Sequence, residues 1–227
     1  MRDPAGLVVV ATPEEAATRV AELLAAAARR GDQIALAGGS TPRRAYELAA
    51  ALEPDWRAAA IWWGDERCVP PDDERSNFRL VSETLLERLG TEPDVHRIQG
   101  ELDPEEAAAL YDAELRGATL DLALLGIGPD GHTASLFPNA PSLAERERLA
   151  VAAPPGLEPR VTRVTLTIPA LAAAREIVFL AVGEDKADPV ERAFAREPDP
   201  STPSSLVRSA AGRTTVVLDE AAAAGLR

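Results

Sequence analysis

Three reactive residue types are nearly missing from these 227 residues: there is one cysteine, Cys68, one lysine, Lys186, and two histidines, His96 and His132. A lone cysteine excludes an intrachain disulfide and fits a reducing compartment, so a cytoplasmic location is expected. No C-x-x-C and no paired-histidine spacing occurs, and no metal site is expected. No apolar run approaches the ~18 residues of a transmembrane helix. The opening stretch through Ala16 sets an acid and a proline ahead of a very short apolar run, which is not the pattern of a signal peptide. Positive charge is short as well. Lys and Arg total 24 against 37 Asp and Glu, a formal net of 24 − 37 = −13. That balance argues against sequence-independent nucleic-acid binding, which needs clustered cations to displace counterions. No nucleic-acid or membrane partner is expected. A small anionic ligand needs only a local positive pocket and stays open. The G-x-S-x-G nucleophile elbow and the G-x-x-x-x-G-K-[ST] phosphate loop are both absent.

What remains is ordinary globular composition, 46% hydrophobic and 27% charged, on a chain long enough to build a core without a disulfide or metal staple. Arginine fills 23 of the 24 basic positions and alanine occurs 44 times. Such a bias reads as compositional drift, and one lysine retained against it stands out. Strand and helix patterns alternate from end to end. Strands are expected at Leu7–Ala11, Gln33–Ala37, Ala59–Gly64, Val95–Ile98, Leu120–Leu125, Leu149–Ala153, Val161–Ile168, Ile177–Val182 and Thr214–Leu218. Helices are expected from Pro13 to about Arg30, capped by Thr12 and stopped by Gly31, and from Pro42 to about Ala51. Others run from the Ser76 cap to about Leu89, over Pro104–Gly117 and Pro169–Arg175, and from Glu184 to about Arg196. Pro189 predicts a kink or a late start in the last of these. Asp65 to Arg75 reads as a polar loop, and an Ala-rich helix is expected after Leu218. Several strands are apolar on both faces, which predicts an α/β fold: a mainly parallel sheet with helices on both faces, in one domain over residues 1–227.

Four strand ends carry glycine, charge or histidine. After the second strand comes Gly38-Gly39-Ser40-Thr41-Pro42. Two glycines let the backbone approach a ligand, and the amides of the following helix start favour an anion there. The plainer reading is a strand-to-helix turn with a hydroxyl cap. After the third strand comes Gly64-Asp65-Glu66-Arg67, where Arg67 can grip an anion and Asp65 can bind hydroxyls, or where the charges merely pair in a solvated loop. After the Leu120–Leu125 strand comes Gly126-Ile127-Gly128-Pro129-Asp130-Gly131-His132-Thr133. It contains G-x-G-x-x-G, the dinucleotide fingerprint, but lies past mid-chain, and no acidic strand end follows it about 20 residues on. The same loop places Asp130 and His132 two residues apart, on either side of Gly131. A histidine there can exchange a proton near neutral pH while a carboxylate orients it. His96, inside a short strand, reads as a structural residue. The fourth end is Gly183-Glu184-Asp185-Lys186, where Lys186 is either an anion ligand or a solvated side chain on a helix start.

The segments Gly38–Pro42, Trp63–Pro70 with Ser76-Asn77-Phe78, Leu125–Pro138 and Gly183–Ala187 together resemble the 6-phosphogluconolactonase and glucosamine-6-phosphate deaminase family. They occur in the family's order across most of the chain, and the histidine-bearing segment is the most specific. Thr133-Ala134-Ser135-Leu136-Phe137-Pro138 after the histidine, and Asp65-Glu66-Arg67, resemble the lactonase branch rather than the deaminases. Two departures, Ala37 where serine is common and Val216 where tryptophan is common, touch none of the proposed chemistry. The resemblance implies a Rossmann-like sheet, no cofactor, and hydrolysis of a phosphorylated sugar lactone. It implies His132 as general base with Asp130 beside it. Arg67 and Lys186 would hold the phosphate, aided by Gly38, Gly39, Ser40 and Thr41. Asp65 would meet hydroxyls or orient the histidine, and the Gly128 and Gly131 backbone would face the substrate. The partner is the small molecule alone, and the state a monomer or weak homo-oligomer. Two rivals remain open: a sugar-phosphate deaminase or isomerase, and a sugar-phosphate sensor without catalysis.

Overall fold

The computed structural model describes residues 5–226; the first four residues of the N-terminal stretch read above, and Arg227, lie outside them. Seven parallel strands form the central sheet in the order β1 (Gly6–Val10), β10 (Arg213–Asp219), β9 (Glu176–Ala181), β6 (Leu122–Gly126), β2 (Gln33–Leu36), β3 (Ala60–Trp63) and β5 (Asp94–His96). The interior strands β3, β6 and β9 are buried almost throughout, as a sheet covered on both faces requires. Around it lie α1 (Pro13–Arg30), α2 (Arg43–Leu52), α3 (Asn77–Thr84), α4 (Pro104–Leu115), α5 (Ile168–Ala173) and α6 (Ala187–Phe194). A hydrophobic cluster runs through the molecule from Ala16 to Ala223.

Local chemistry sets the clearest boundaries. Thr12 accepts the Glu15 amide at 3.2 Å, Pro13 opens α1, and Gly31 returns its amide to Ala28 at 3.0 Å. Those are the cap, the first-turn proline and the stop that the sequence predicts. Residues Glu184–Lys186 form a single 3-10 turn, and α6 starts late at Ala187, leaving Pro189 in the first helical turn, where its missing amide costs nothing.

Two expectations need correction. The segment after Gly64 is a strand at its start: β4 (Asp65–Arg67) pairs antiparallel with β8 (Arg163–Leu166), which pairs with β7 (Ala150–Ala153) in a separate three-stranded sheet. The Ala-rich end holds only a turn and a short 3-10 segment, Ala224–Leu226, because the Asp219 carboxylate accepts the Ala222 amide at 2.9 Å and bends the chain at once.

The strand order reverses direction between β2 and β6. In such sheets a crevice opens outside the carboxyl ends of the two strands. Pairing of β2 with β6 reaches only Ala35 with Ala123. Tyr46 of α2 then supplies the missing bonds. Its hydroxyl accepts the Ala37 amide at 3.0 Å and donates to the Ala37 carbonyl at 2.6 Å. Tyr111 of α4 does the same for Trp63, at 2.8 and 3.1 Å. Burial pushes both phenols well above the usual tyrosine range, so each keeps its proton and its donor role. Tyr46→Phe leaves both polar groups of Ala37 without their phenol partner just ahead of Gly38. A destabilisation of about 1–3 kcal/mol is expected, read as a lower urea midpoint at unchanged slope.

Candidate active site

The crevice is bounded by the loop after β2 and the loop after β6. The second loop is folded on itself. The Gly128 amide donates to the His132 carbonyl at 2.8 Å and the Gly131 amide to the Gly128 carbonyl at 2.9 Å. Thr133 Oγ1 donates to the Gly126 carbonyl at 2.8 Å. Asp130 Oδ1 accepts the His132 amide at 3.1 Å and lies 2.5 Å from the ring Nδ1. The ring fills the space beside Gly128: a Cβ there would sit 2.0 Å from Nδ1 and Cε1. No residue but glycine lets the imidazole occupy that place. Phe137 closes the other side, with ring centroids 5.0 Å apart.

Burial works to raise the Asp130 carboxyl, but the His132 bond and charge outweigh it and hold it below the ordinary range. Asp130 is therefore an ionised acceptor at neutral pH. An acceptor at that distance fixes the proton on Nδ1 and leaves Nε2 as the basic nitrogen. Nε2 has no protein hydrogen-bond partner among the described residues.

Facing this pair is a wall of backbone amides. Among the described residues none of the amides of Gly38, Gly39, Ser40 and Thr41 donates a bond within the protein. Gly39 has φ +91°, and the space where its Cβ would stand is open. Successive free amides ahead of a helix N-terminus make a strong anion cradle. The cleft between wall and histidine has a volume of about 360 Å³, within the usual size of a small-molecule site. Gly38, Gly39, Ser40, Thr41, Asp65, Arg67, Gly128, His132 and Lys186 all line it. Asp130 and Gly131 stand behind the histidine and do not.

Lys186 Nζ lies 3.2 Å from Asp185 Oδ2, on a mostly buried stem beside an exposed carboxylate. Arg67 donates Nη1 to the Arg75 carbonyl at 2.7 Å, while its buried Nε has no hydrogen-bond partner among the described residues. Asp65, 6% exposed, lines the cleft with its carboxylate partly engaged: Ser135 Oγ donates to it at 2.5 Å and Asn77 Nδ2 at 3.2 Å. It ties three loops together and makes no bond to His132, whose orientation rests on Asp130.

Sequence reasoning missed Arg163, 4% exposed, whose guanidinium lines the cleft. It donates Nη2 to the Leu157 and Pro159 carbonyls at 2.9 and 3.0 Å, and its Nε has no hydrogen-bond partner among the described residues. Burial pushes this guanidinium below its ordinary range. Glu66 was also missed as a builder. Its buried carboxylate accepts the amides of Arg67, Asn77 and Phe78 and the Ser76 hydroxyl, at 2.6–3.0 Å. Burial raises its carboxyl against those bonds. A carboxylate at the start of α3 fixes Asp65 and Arg67 on either side of it.

His96 lies outside the cleft, stacked on Trp62 at 3.9 Å and held by Glu114 and Asp94 at 2.5 and 3.0 Å. Cys68 is half-buried and its thiol is pushed up to about 11, which makes it a poor nucleophile. The dinucleotide reading fails on geometry: a 3-10 turn at Pro141–Ala144 is the first helical element after Gly126, so the glycine loop opens no α-helix. Among the described residues no cluster of His, Cys, Asp or Glu is placed to hold a metal ion. No helix among them is long and apolar enough to cross a membrane.

Fold and cleft together define an α/β protein in which free amides and a carboxylate-oriented histidine face each other across a cleft at the switch point of a parallel sheet. The family described as glucosamine-6-phosphate isomerases/6-phosphogluconolactonase matches residues 10–216, and the chain belongs to it. It is 39% identical to 6-phosphogluconolactonase of Homo sapiens over 240 residues, covering 97% of this chain and 93% of that one. It is 37% identical to the 6-phosphogluconolactonase of Streptomyces coelicolor, over 94% and 90% of the two chains. The solved 6-phosphogluconolactonase of Trypanosoma cruzi superposes with a TM-score of 0.88 at 26% identity, covering 100% of this chain and 98% of that one.

Proposed function

We propose that the protein hydrolyses 6-phospho-D-glucono-1,5-lactone to 6-phosphogluconate, the second step of the oxidative pentose phosphate pathway. The observation that carries this reading is the pairing of a carboxylate-oriented histidine with a cradle of free amides and cations across one small cleft. The names of the relatives point to the same substrate. The phosphate is held by Lys186, Arg67 and Arg163 with the Gly38–Thr41 amides, a cluster of cations in a chain of net charge −13. Neutral His132 takes a proton at Nε2 from water as the water oxygen adds to the lactone carbonyl carbon. Free amides of the Gly38–Thr41 turn stabilise the oxyanion, since those of Gly128 and Gly131 are bonded within their own loop. Collapse breaks the bond from the carbonyl carbon to the ring oxygen, and the imidazolium returns its proton to that oxygen. The acid formed ionises to solvent. Asp130 holds the ring and balances its transient charge. The cleft is complete within one chain, which supports action as a monomer. The lone cysteine supports a reducing, cytoplasmic setting.

Turnover of freshly generated lactone, corrected for spontaneous hydrolysis and run with a chelator present, is the deciding assay. A rate well above background is expected. Binding without turnover would leave a sugar-phosphate sensor. Ammonia release from glucosamine 6-phosphate would make the protein a deaminase.

A further inference from the structure

We propose that Arg192, on α6 outside the cleft, is a positioning residue for the His132–Asp130 pair; this rests on the hydrolytic reading above. Its guanidinium makes four bonds. Nη1 donates to the Asp130 carbonyl at 3.3 Å and to Thr202 Oγ1 at 3.0 Å, Nη2 to the Pro129 carbonyl at 3.2 Å, and Nε to Asp188 Oδ2 at 2.9 Å. Two of these acceptors are consecutive carbonyls of the turn that aims Asp130 at the histidine.

The loop has few other anchors on that side. Its remaining bonds close it on itself, apart from the Ser204 amide, which donates to the Gly131 carbonyl at 3.0 Å. Glycine at 126, 128 and 131 leaves the backbone free to move unless it is tied. A planar fork suits two adjacent carbonyls where an ammonium can reach only one point. Arg192 also sits six positions beyond Lys186, and Asp188, its ion-pair partner, two positions beyond. The helix that follows the phosphate-binding lysine therefore grips the loop that carries the base. Alignment of Nε2 with the lactone carbon depends on this grip, since small misplacements of a reacting group are expensive in rate. Substrate affinity depends on it much less, because Arg192 does not line the cleft.

The test uses Arg192→Met and Arg192→Lys in the full chain. Arg192→Met is expected to lower kcat about 10–100-fold while KM stays within about threefold. Arg192→Lys should recover only part of kcat, since it keeps the charge and loses the fork. A second reading needs no substrate: the low-field proton resonance of His132 Nδ1, assigned by its absence in His132→Gln and its persistence in His96→Gln, should shift or broaden in both variants. A merely structural arginine would lower the thermal midpoint and leave that resonance in place. A folded variant with kcat within about threefold of the parent, or with an unchanged resonance, overturns the proposal. Should Arg192→Met not fold, Arg192→Lys decides by the same two measurements. Turnover of the lactone by the unaltered protein, recorded alongside, tests the hydrolytic reading separately.

Discussion

His132→Gln is expected to lower kcat for the lactone by about 10²–10⁴, the usual contribution of a general acid–base group, with little change in KM. Glutamine fills much of the space over Gly128 and can still donate to Asp130, so the loop should keep its shape. It has no nitrogen that can take a proton from water. The spontaneous reaction and the amide cradle remain, so residual turnover above background is consistent with the assignment. Retention of more than about a tenth of the parent kcat would remove His132 from the chemistry. His96→Gln is the control. That ring lies against Trp62 and between two carboxylates away from the cleft, and its loss should leave kcat within a few-fold. Equal losses in the two variants would point to a shared effect on folding, which a thermal melt recorded on each would expose.

The histidine was visible in the sequence because its signal is local. Glycines at 126, 128 and 131 with Asp130 and His132 beside the last of them form one turn, and the contacts that matter lie within it. Helix α1 was legible for the same reason, since Thr12, Pro13 and Gly31 mark both ends within the segment itself. Strand β4 was hidden: three polar residues carry no period, and their partner Thr165 is 100 positions away from Asp65. The partners of Asp65 are hidden in the same way. A carboxylate at a strand end looks free until Ser135, 70 positions on, is found donating to it. Arg163 was invisible because it is one of 23 arginines. Nothing in Val161-Thr162-Arg163-Val164 marks its guanidinium as facing a cleft; only the alternation of β8 and its register with β4 put it there.

Rarity did the opposite for Lys186, and it yields the second large effect. Lys186→Met is expected to raise KM at least about tenfold, since a hydrogen bond to a charged group is worth roughly 1.5–3 kcal/mol. Among the described residues the ammonium pairs with Asp185 alone, an exposed carboxylate on the neighbouring residue. A pair of that kind adds little to stability, so the thermal midpoint should hardly move. The stem is mostly buried and reaches the cleft beside the Ser40 and Thr41 amides. A phosphate bound there exchanges a weak, half-solvated partner for a dianion already held by backbone donors. Lys186→Arg should restore only part of the affinity, because a planar fork needs room beside the Ser40 turn that a compact ammonium does not. The effect should fall on KM more than on kcat, because the phosphate is remote from the bond that breaks. An unchanged KM in a folded Lys186→Met variant would return the lysine to Asp185. The phosphate would then rest on the amide cradle with Arg67 and Arg163, whose unpartnered Nε atoms make them the next positions to change.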